Sequence, residues 1–440
     1  MTLRHCVRLV LLTLALVLAA PAPPVRAVVA PTAVERRERE ASDLARRAQL
    51  NLQRGRLEER RRAVAQLERA TLLAPGNAEY QLMLARAYWR SGYRRAAMKR
   101  FERVVALRPG SADARYGLGQ VWRRDWLKYL EKSSLDHAIR ELVAAVRLDS
   151  THTDSWLMLS SLLVARGDSV QALGAANGAM AVAPERLESR IARAACLWRT
   201  GDVERADSLF RDAVPRLDRP VRERFEDIAP VASERDTMIY NRLGAPERRE
   251  FARQFWTEHD PDLATEANEA QLEYWARVTQ AYFLFYDPKH REWDERGEVY
   301  VRYGPPEGTD YNPLGANLYS RGAQSAQMMF PMNVLVWKYP GLGMTVTMQD
   351  RVLSEYYLLP VSYDRDMDPR PQPDSIEARD ALGTHEFRGV FPTLPPGVQR
   401  LPLRGLFARF VEERASGATG ANLPRLFAAV ELAAGPGEDL

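Results

Sequence analysis

Apolar and small residues recur along the first half of the chain with a period far longer than one helix or strand. Ala63, Ala97, Ala138, Ala172 and Ala206 follow one another at 34-residue steps, except for one step that is seven residues longer. Leu67, Phe101, Leu142, Ala176 and Phe210 come four residues after each alanine, then Ala70, Val104, Ala145, Ala179 and Ala213. Offsets of three and four put these positions on one helix face, and the small residues let a second helix approach closely. The preceding helices carry Leu84, Ala85 and Tyr88, then Leu118, Gly119 and Trp122, then Trp156, Leu159 and Leu163, which read as core residues. Gly55, Gly92, Gly167 and Gly201 fall in the turn inside each pair. Pro75, Pro109 and Pro184, with Ser150 and Asp218 in the equivalent places, mark where the second helix must stop. A period of this length signals a stacked array of helix pairs.

The pattern resembles the tetratricopeptide repeat, a helix-turn-helix unit, over roughly residues 41 to 220. The resemblance implies an N-terminal α-superhelix, assigned to residues 34–220, whose concave face offers a groove for a peptide or protein segment. Arg86, Arg90, Tyr116 and Arg193 are the residues expected to line it.

The segment from Pro215 to Pro230 breaks the repeat phase, and a second domain is expected over residues 235–360. Pro246, Glu247 and Glu250 begin a helix there. From Phe251 to Phe285 aromatic residues at helical spacing predict two helices joined by a loop at Asp260-Pro261, with Asn268 and Glu269 opening the second. Val299, Val301 and Tyr303 alternate with Tyr300 and Arg302, which predicts a strand stopped by Gly304-Pro305-Pro306. Val334 to Tyr339 and Met344 to Met348 predict a hairpin across Pro340-Gly341-Leu342-Gly343, and Tyr356 to Leu359 a further short strand.

These residues carry a second resemblance. Phe255-Trp256, Asp260-Pro261, Asn268-Glu269, the run from Trp293-Asp294 through Arg296-Gly297 to Gly304-Pro305-Pro306-Glu307, and the later Val336-Trp337-Lys338-Tyr339-Pro340 and Thr347-Met348-Gln349-Asp350 are similar to the GWxTD domain family of exported bacterial proteins. The similarity spans about residues 245 to 360. Where the family has glycine, tryptophan, any residue, threonine and aspartate before arginine and glycine, this chain has Arg291-Glu292-Trp293-Asp294-Glu295 before Arg296-Gly297. The glycine and threonine are missing, so a role depending on the threonine hydroxyl does not carry over. The family implies export rather than a mechanism.

Export is also read from residues 1–27. Arg4, His5 and Arg8 form a positive n-region, Leu9 to Ala20 an apolar h-region, and Val25-Arg26-Ala27 or Ala20-Pro21-Ala22 a cleavage site. An uncleaved anchor is the alternative, although the apolar run is short for a membrane span. Cys6 precedes the apolar run, which argues against lipidation, and cleavage leaves Cys196 as the one thiol, expected to be buried in a repeat helix. The expected location is periplasmic, outer-membrane-associated or extracellular. With 62 basic and 58 acidic residues the charges nearly balance, and the run Arg60-Arg61-Arg62 follows Glu58 and Glu59 as on a solvated helix face. Nucleic acid is therefore not an expected partner.

The residues give little support for an enzyme. The histidines at 5, 137, 152, 259, 290 and 385 are scattered without a metal-binding pair, and no phosphate loop or nucleophile elbow occurs. No metal or other cofactor is expected. One cluster of acids and aromatics, Glu258, His259, Asp260, Glu269, Trp293, Asp294, Glu295 and Arg296, has the composition of a glycan-hydrolysing or sugar-binding site. The same residues have a purely architectural reading, with Asp260 capping one helix, Asn268 and Glu269 starting another, Arg296 paired with an acid, and the tryptophans in the core.

Residues 361–385, with Asp364, Asp366, Asp368, Pro369, Pro371 and Pro373, have linker composition and lack the glycine and glutamate of a calcium loop. Residues 386–440, with Val390-Phe391, Leu401 to Leu403, Phe407 to Val411 and Leu426 to Leu432, predict short strands of an incomplete β-sandwich, either cut short or completed by a partner strand. The expectation is thus an exported scaffold or adaptor that binds a protein or peptide in the cell envelope. It would have an α-superhelix, then an α+β module and a partial β domain. The alternative is an envelope glycan hydrolase or glycan-binding protein with its site near Asp260, Trp293 and Asp294.

Overall fold

The structure is a computed structural model in which residues 32–232, 234–287, 291–311, 333–340, 344–350 and 355–358 are described. The expectations for residues 1–27, 361–385 and 386–440, and those for His5, His290 and His385, lie outside the described residues. The chain divides into two compact units, Met1–Tyr93 and Arg94–Leu440.

In the first unit α1 (Ala33–Arg54) and α2 (Leu57–Leu73) pair, and α3 (Ala78–Arg90) packs on α2. Thr32 and Glu35 form a reciprocal capping box that opens α1, and Asn77 opens α3 by accepting from the amides of Glu79 and Tyr80. Ala48, Ala63, Leu67, Leu84 and Ala87 form a fully buried seam.

The second unit begins with α4 (Arg94–Leu107), α5 (Ala112–Tyr129), α6 (Lys132–Leu148), α7 (Thr153–Arg166), α8 (Ser169–Val182), α9 (Leu187–Thr200) and α10 (Val203–Ala213). Consecutive helices stack, and the periodic residues of this unit, such as Ala138, Leu142 and Ala145, are inaccessible to solvent. Two glycines permit that closeness: a Cβ on Gly117 would lie 2.3 Å from the Phe101 ring, and one on Gly119 would lie 2.8 Å from Leu142. Gly119 is thus a point of close approach rather than a core-filling residue.

A short 3₁₀ turn leads to α11 (Arg219–Glu226), α12 (Glu234–Arg242), α13 (Ala245–Glu258) and α14 (Glu269–Phe285). Pro246 lies in the first turn of α13, and Asn268 caps α14 by accepting from Gln271 N, as the sequence predicts. The two-residue strands β1 (Tyr286–Asp287) and β2 (Glu292–Trp293) pair antiparallel. Then comes α15 (Glu295–Tyr303), where the alternating valines predict a strand. Alternation misleads here because Val299, Tyr300, Val301 and Tyr303 are all buried, between α14 on one side and the following sheet on the other. With burial no longer alternating, the cap decides: Asp294 Oδ1 accepts from Arg296 N at 3.1 Å and starts a helix.

The sheet has the antiparallel order β3 (Gly308–Tyr311), β4 (Asn333–Tyr339), β5 (Met344–Asp350). Tyr339 stands opposite Met344, so the predicted hairpin strands pair, whereas β3 has no counterpart in the sequence reading. In place of the strand expected from Tyr356, the described residues contain one bridge position at Leu358. Asp294 and Arg296 hold this segment, and its backbone is spent on them. From Arg94 onward the repeats and the later helices share one hydrophobic core.

Candidate functional site

The face expected to bind a partner belongs to the first helix of each pair. In the first unit it forms an open groove of about 550 Å³ between α1 and α3. Gln49, Leu52 and Gln53 contribute from α1, and Glu79, Met83, Arg86, Trp89 and Arg90 from α3. Arg86 and Arg90 are one turn apart and exposed, while Leu52, Met83 and Trp89 are half-buried. Two guanidinium groups over an apolar floor with amide donors can hold a carboxylate-bearing peptide with an apolar anchor.

In the second unit the corresponding face is already filled, and its occupant is the chain's own helix α14. Trp275 of α14 packs against Phe210 with ring centroids 5.5 Å apart. Gln280 Nε2 donates to Ser161 O on α7 at 2.8 Å, and Trp198 Nε1 on α9 donates to Glu273 Oε2 at 2.8 Å. Arg123 on α5 donates to the last carbonyls of the helix, Phe283 O at 2.8 Å and Leu284 O at 2.6 Å. A cation at a helix C-terminus is favourable because these carbonyls lack partners within the helix. Glu273 also accepts from Arg277 Nε at 2.6 Å, both side chains being almost wholly enclosed. Of these residues the sequence singled out Phe210 alone; Glu273, Arg277 and Gln280, at helical spacing, read as a solvated polar stripe.

The four predicted groove residues therefore have different surroundings. Arg86 and Arg90 line the first unit's groove. Tyr116 is half-buried on α5, its ring 4.8 Å from that of His152, and burial followed by the charge of Asp154 pushes its hydroxyl up to about 12. Arg193 is half-buried on α9, the helix on which α14 rests.

The motif residues shared with the second resemblance form a clamp. Asp294 is buried, and its carboxylate receives the Arg296 guanidinium at 2.8 Å and the amide of Tyr357 at 3.0 Å. Arg296 also donates to Glu355 O and lies over the rings of Tyr357 and Phe285. Trp293 is buried and donates to Glu298, and Gly297 leaves room for its ring, since a Cβ there would lie 2.5 Å away. Gly304, at φ +77°, accepts from the Tyr339 hydroxyl at 3.1 Å, and Pro305 and Pro306 carry the chain on toward β3. Trp256 is buried and its carbonyl accepts from Asn268 Nδ2.

The acids do not converge on one cavity. Asp260 caps no helix; its Oδ1 accepts from Asp262 N at 3.3 Å within the loop after α13. Glu269 is buried, accepts from Thr265 Oγ1 at 2.7 Å, and is raised above the usual carboxyl range by burial. Trp293 and Asp294 are sealed in the clamp, so the aromatic and acidic surfaces a glycan would need are not presented together. Among the described residues no group of three or more His, Cys, Asp or Glu side chains could hold a metal ion, and no helix is long and apolar enough to cross a membrane.

Residues 82–151 and 157–220 match the tetratricopeptide repeat model. Tetratricopeptide-repeat proteins are general scaffolds for protein–protein interaction, binding through the faces their stacked helices present. Solved structures similar to the chain include a Pseudomonas aeruginosa pilF protein, at 14% identity and TM-score 0.38, covering 53% of this chain and 96% of that one. A thermophilic tetratricopeptide repeat protein of Thermus thermophilus has 20% identity and TM-score 0.33, with 40% and 90% covered. MamA from Desulfovibrio magneticus has 19% identity and TM-score 0.35, with 40% and 94% covered. No curated protein matches the chain.

Proposed function

We propose that the chain is an exported interaction scaffold of a bacterial cell envelope, whose partner is a protein or peptide segment held in the groove between α1 and α3. The observation that carries this reading is the contrast between the two units. The first-helix face of the second unit is occupied by α14, whereas that of the first unit is an open groove lined by Arg86 and Arg90. Export rests on the charged and apolar pattern of residues 1–27 and on the similarity of residues 245–360 to GWxTD domains. In this reading the GWxTD-like segment is architectural. It supplies α14 to the repeats and clamps the sheet behind it, and it needs no catalytic activity.

A photo-crosslinking residue at Met83 in the native bacterium tests the groove. It should yield one adduct of discrete mass, lost in Arg86→Glu/Arg90→Glu with circular dichroism unchanged. An adduct that survives the double charge reversal would remove the groove from the reading. Export is checked separately, by whether externally added protease reaches the mature chain in cells with a permeabilised outer membrane.

A further inference from the structure

The first helices α1, α3, α7 and α9 are each closed by a glycine in the left-handed conformation, Gly55, Gly92, Gly167 and Gly201, with φ of +75°, +81°, +86° and +89°. Counted from these glycines, the four helices can be set in register. Three and two residues before the glycine stand Trp89-Arg90 on α3 and Trp198-Arg199 on α9, where α1 has Leu52-Gln53 and α7 has Val164-Ala165. The tryptophan and arginine are therefore no requirement of the repeat. They occur on the helix that holds α14 and again on the helix that lines the open groove.

On α9 the pair receives a carboxylate. Trp198 Nε1 donates to Glu273 Oε2 at 2.8 Å, and although burial opposes the charge of Glu273, the charges of Arg277 and Arg199 favour it. Seven residues further along α14 is held again, where Gln280 Nε2 donates to Ser161 O on α7 at 2.8 Å. Ser161 stands six residues before Gly167, and the residue six before Gly55 is Gln49, which lines the groove together with Trp89 and Arg90. Both positions that hold α14 thus have counterparts in the first unit, again on two successive first helices.

Resting on the reading of the α1–α3 groove as the partner site, we propose that its occupant is an α-helix of the partner protein, seated as α14 is, with a glutamate on Trp89 and Arg90 and an amide side chain two turns later on Gln49. Seven residues of helix advance about 10 Å and return to the same face, so one side of a helix can meet both anchors. An extended segment covers that distance in about three residue steps, which turn its last side chain away from its first. Between the anchors the half-buried Leu52 and Met83 take the apolar residues of the helix. Arg90 is exposed, so its pairing with the glutamate should weaken with salt.

The probe is a fluorescein-labelled peptide of residues 266–287, which carries Glu273 and Gln280 on one helix, titrated with the full chain and followed by anisotropy. The second unit already holds its own α14, so saturable binding is expected at the groove, with a gain of peptide helicity in circular dichroism. Glu273→Gln in the peptide and Arg90→Gln in the chain should each weaken it by about tenfold, and together by no more than either alone, as for two groups that meet. Gln49→Ala, at an exposed position where folding is not at stake, should weaken it as well. Absence of saturable binding, losses that multiply, or equal binding of the same residues in scrambled order would each overturn the proposal. So would sedimentation of the full chain as a dimer that Arg90→Gln dissociates, which would give the groove to a second copy. Crosslinking at Met83 reports the groove whatever fills it: an adduct there without peptide binding overturns the helix and leaves the groove, whereas loss of both signals overturns both.

Discussion

Glu273 and Arg277 are charges with about 1% of their side-chain surface accessible, and their balance is set by their neighbours. Burial alone drives a carboxyl up. The charges of Arg277 and Arg199 and the hydrogen bonds from Trp198 and Arg277 outweigh it and hold Glu273 below the usual range. A depressed folded-state value stabilises the protein above the unfolded pKa, and that stability is lost as pH falls through the folded one. Glu273→Ala should cost about 3–5 kcal/mol, because it leaves Arg277 charged and enclosed; urea denaturation at neutral pH measures it. Glu273→Gln should flatten the acid limb of a stability–pH profile. Cys196 has the opposite shift: burial pushes its thiol up to about 11. Its contribution is therefore full below the unfolded value near 9 and lost as pH rises through the folded one. Ellman's reagent should leave this thiol unmodified at pH ~8 until denaturant is added. Glycines separate into two classes. Gly297→Ala should cost about 1–3 kcal/mol through its clash with Trp293, whereas Gly174→Ala, on the exposed side of α8 with nothing near, should gain up to about 1 kcal/mol. Thermal unfolding of the two variants gives both signs in one experiment.

Among the elements, α5 and α6 together account for the one irregular step in the 34-residue spacing. The first runs for 18 residues and the second for 17, where α7, α8 and α9 have 14. The added turn of α5 carries Lys128 and Tyr129, which meet the ring of Tyr311 beyond the repeats, and Arg124 just before it pairs with Glu355. The insertion is thus a bracket for the sheet module. Arg123→Ala should release the C-terminal turn of α14, at a cost of about 1–3 kcal/mol, with hydrogen exchange rising first at Phe283 and Leu284. The stacked pairs were legible in sequence because their contacts recur at a fixed separation, so Ala138, Leu142 and Ala145 announce one another. The docking of α14 was not, because its partners lie 75, 119 and 161 residues away with no period to reveal them. Val299 to Tyr303 misled for a related reason: alternation reports a half-exposed strand, and this segment is enclosed on most sides.

For the second unit as a whole, the intramolecular helix alters how the repeats should behave alone. A fragment ending at residue 232 leaves Trp198 and Phe210 without Glu273 and Trp275. It should bind a hydrophobic dye and lose near-ultraviolet dichroism, and a synthetic peptide spanning residues 266–287 should restore the signal. A fragment that is compact without the peptide would show that α14 adds little. Helix stacks are ordinarily additive, so that a unit can be gained or lost at little cost to its neighbours. Here the first helices are tied at set distances to one rod: Arg123 to its end, Ser161 to its middle, Trp198 to its first half. Inserting a further repeat between α8 and α9 would carry Trp198 away from Glu273 while Gln280 stayed with Ser161, and α14 could satisfy only one of them. The repeat number of this unit is thereby fixed, as a ruler fixes the spacing of the marks that must meet it.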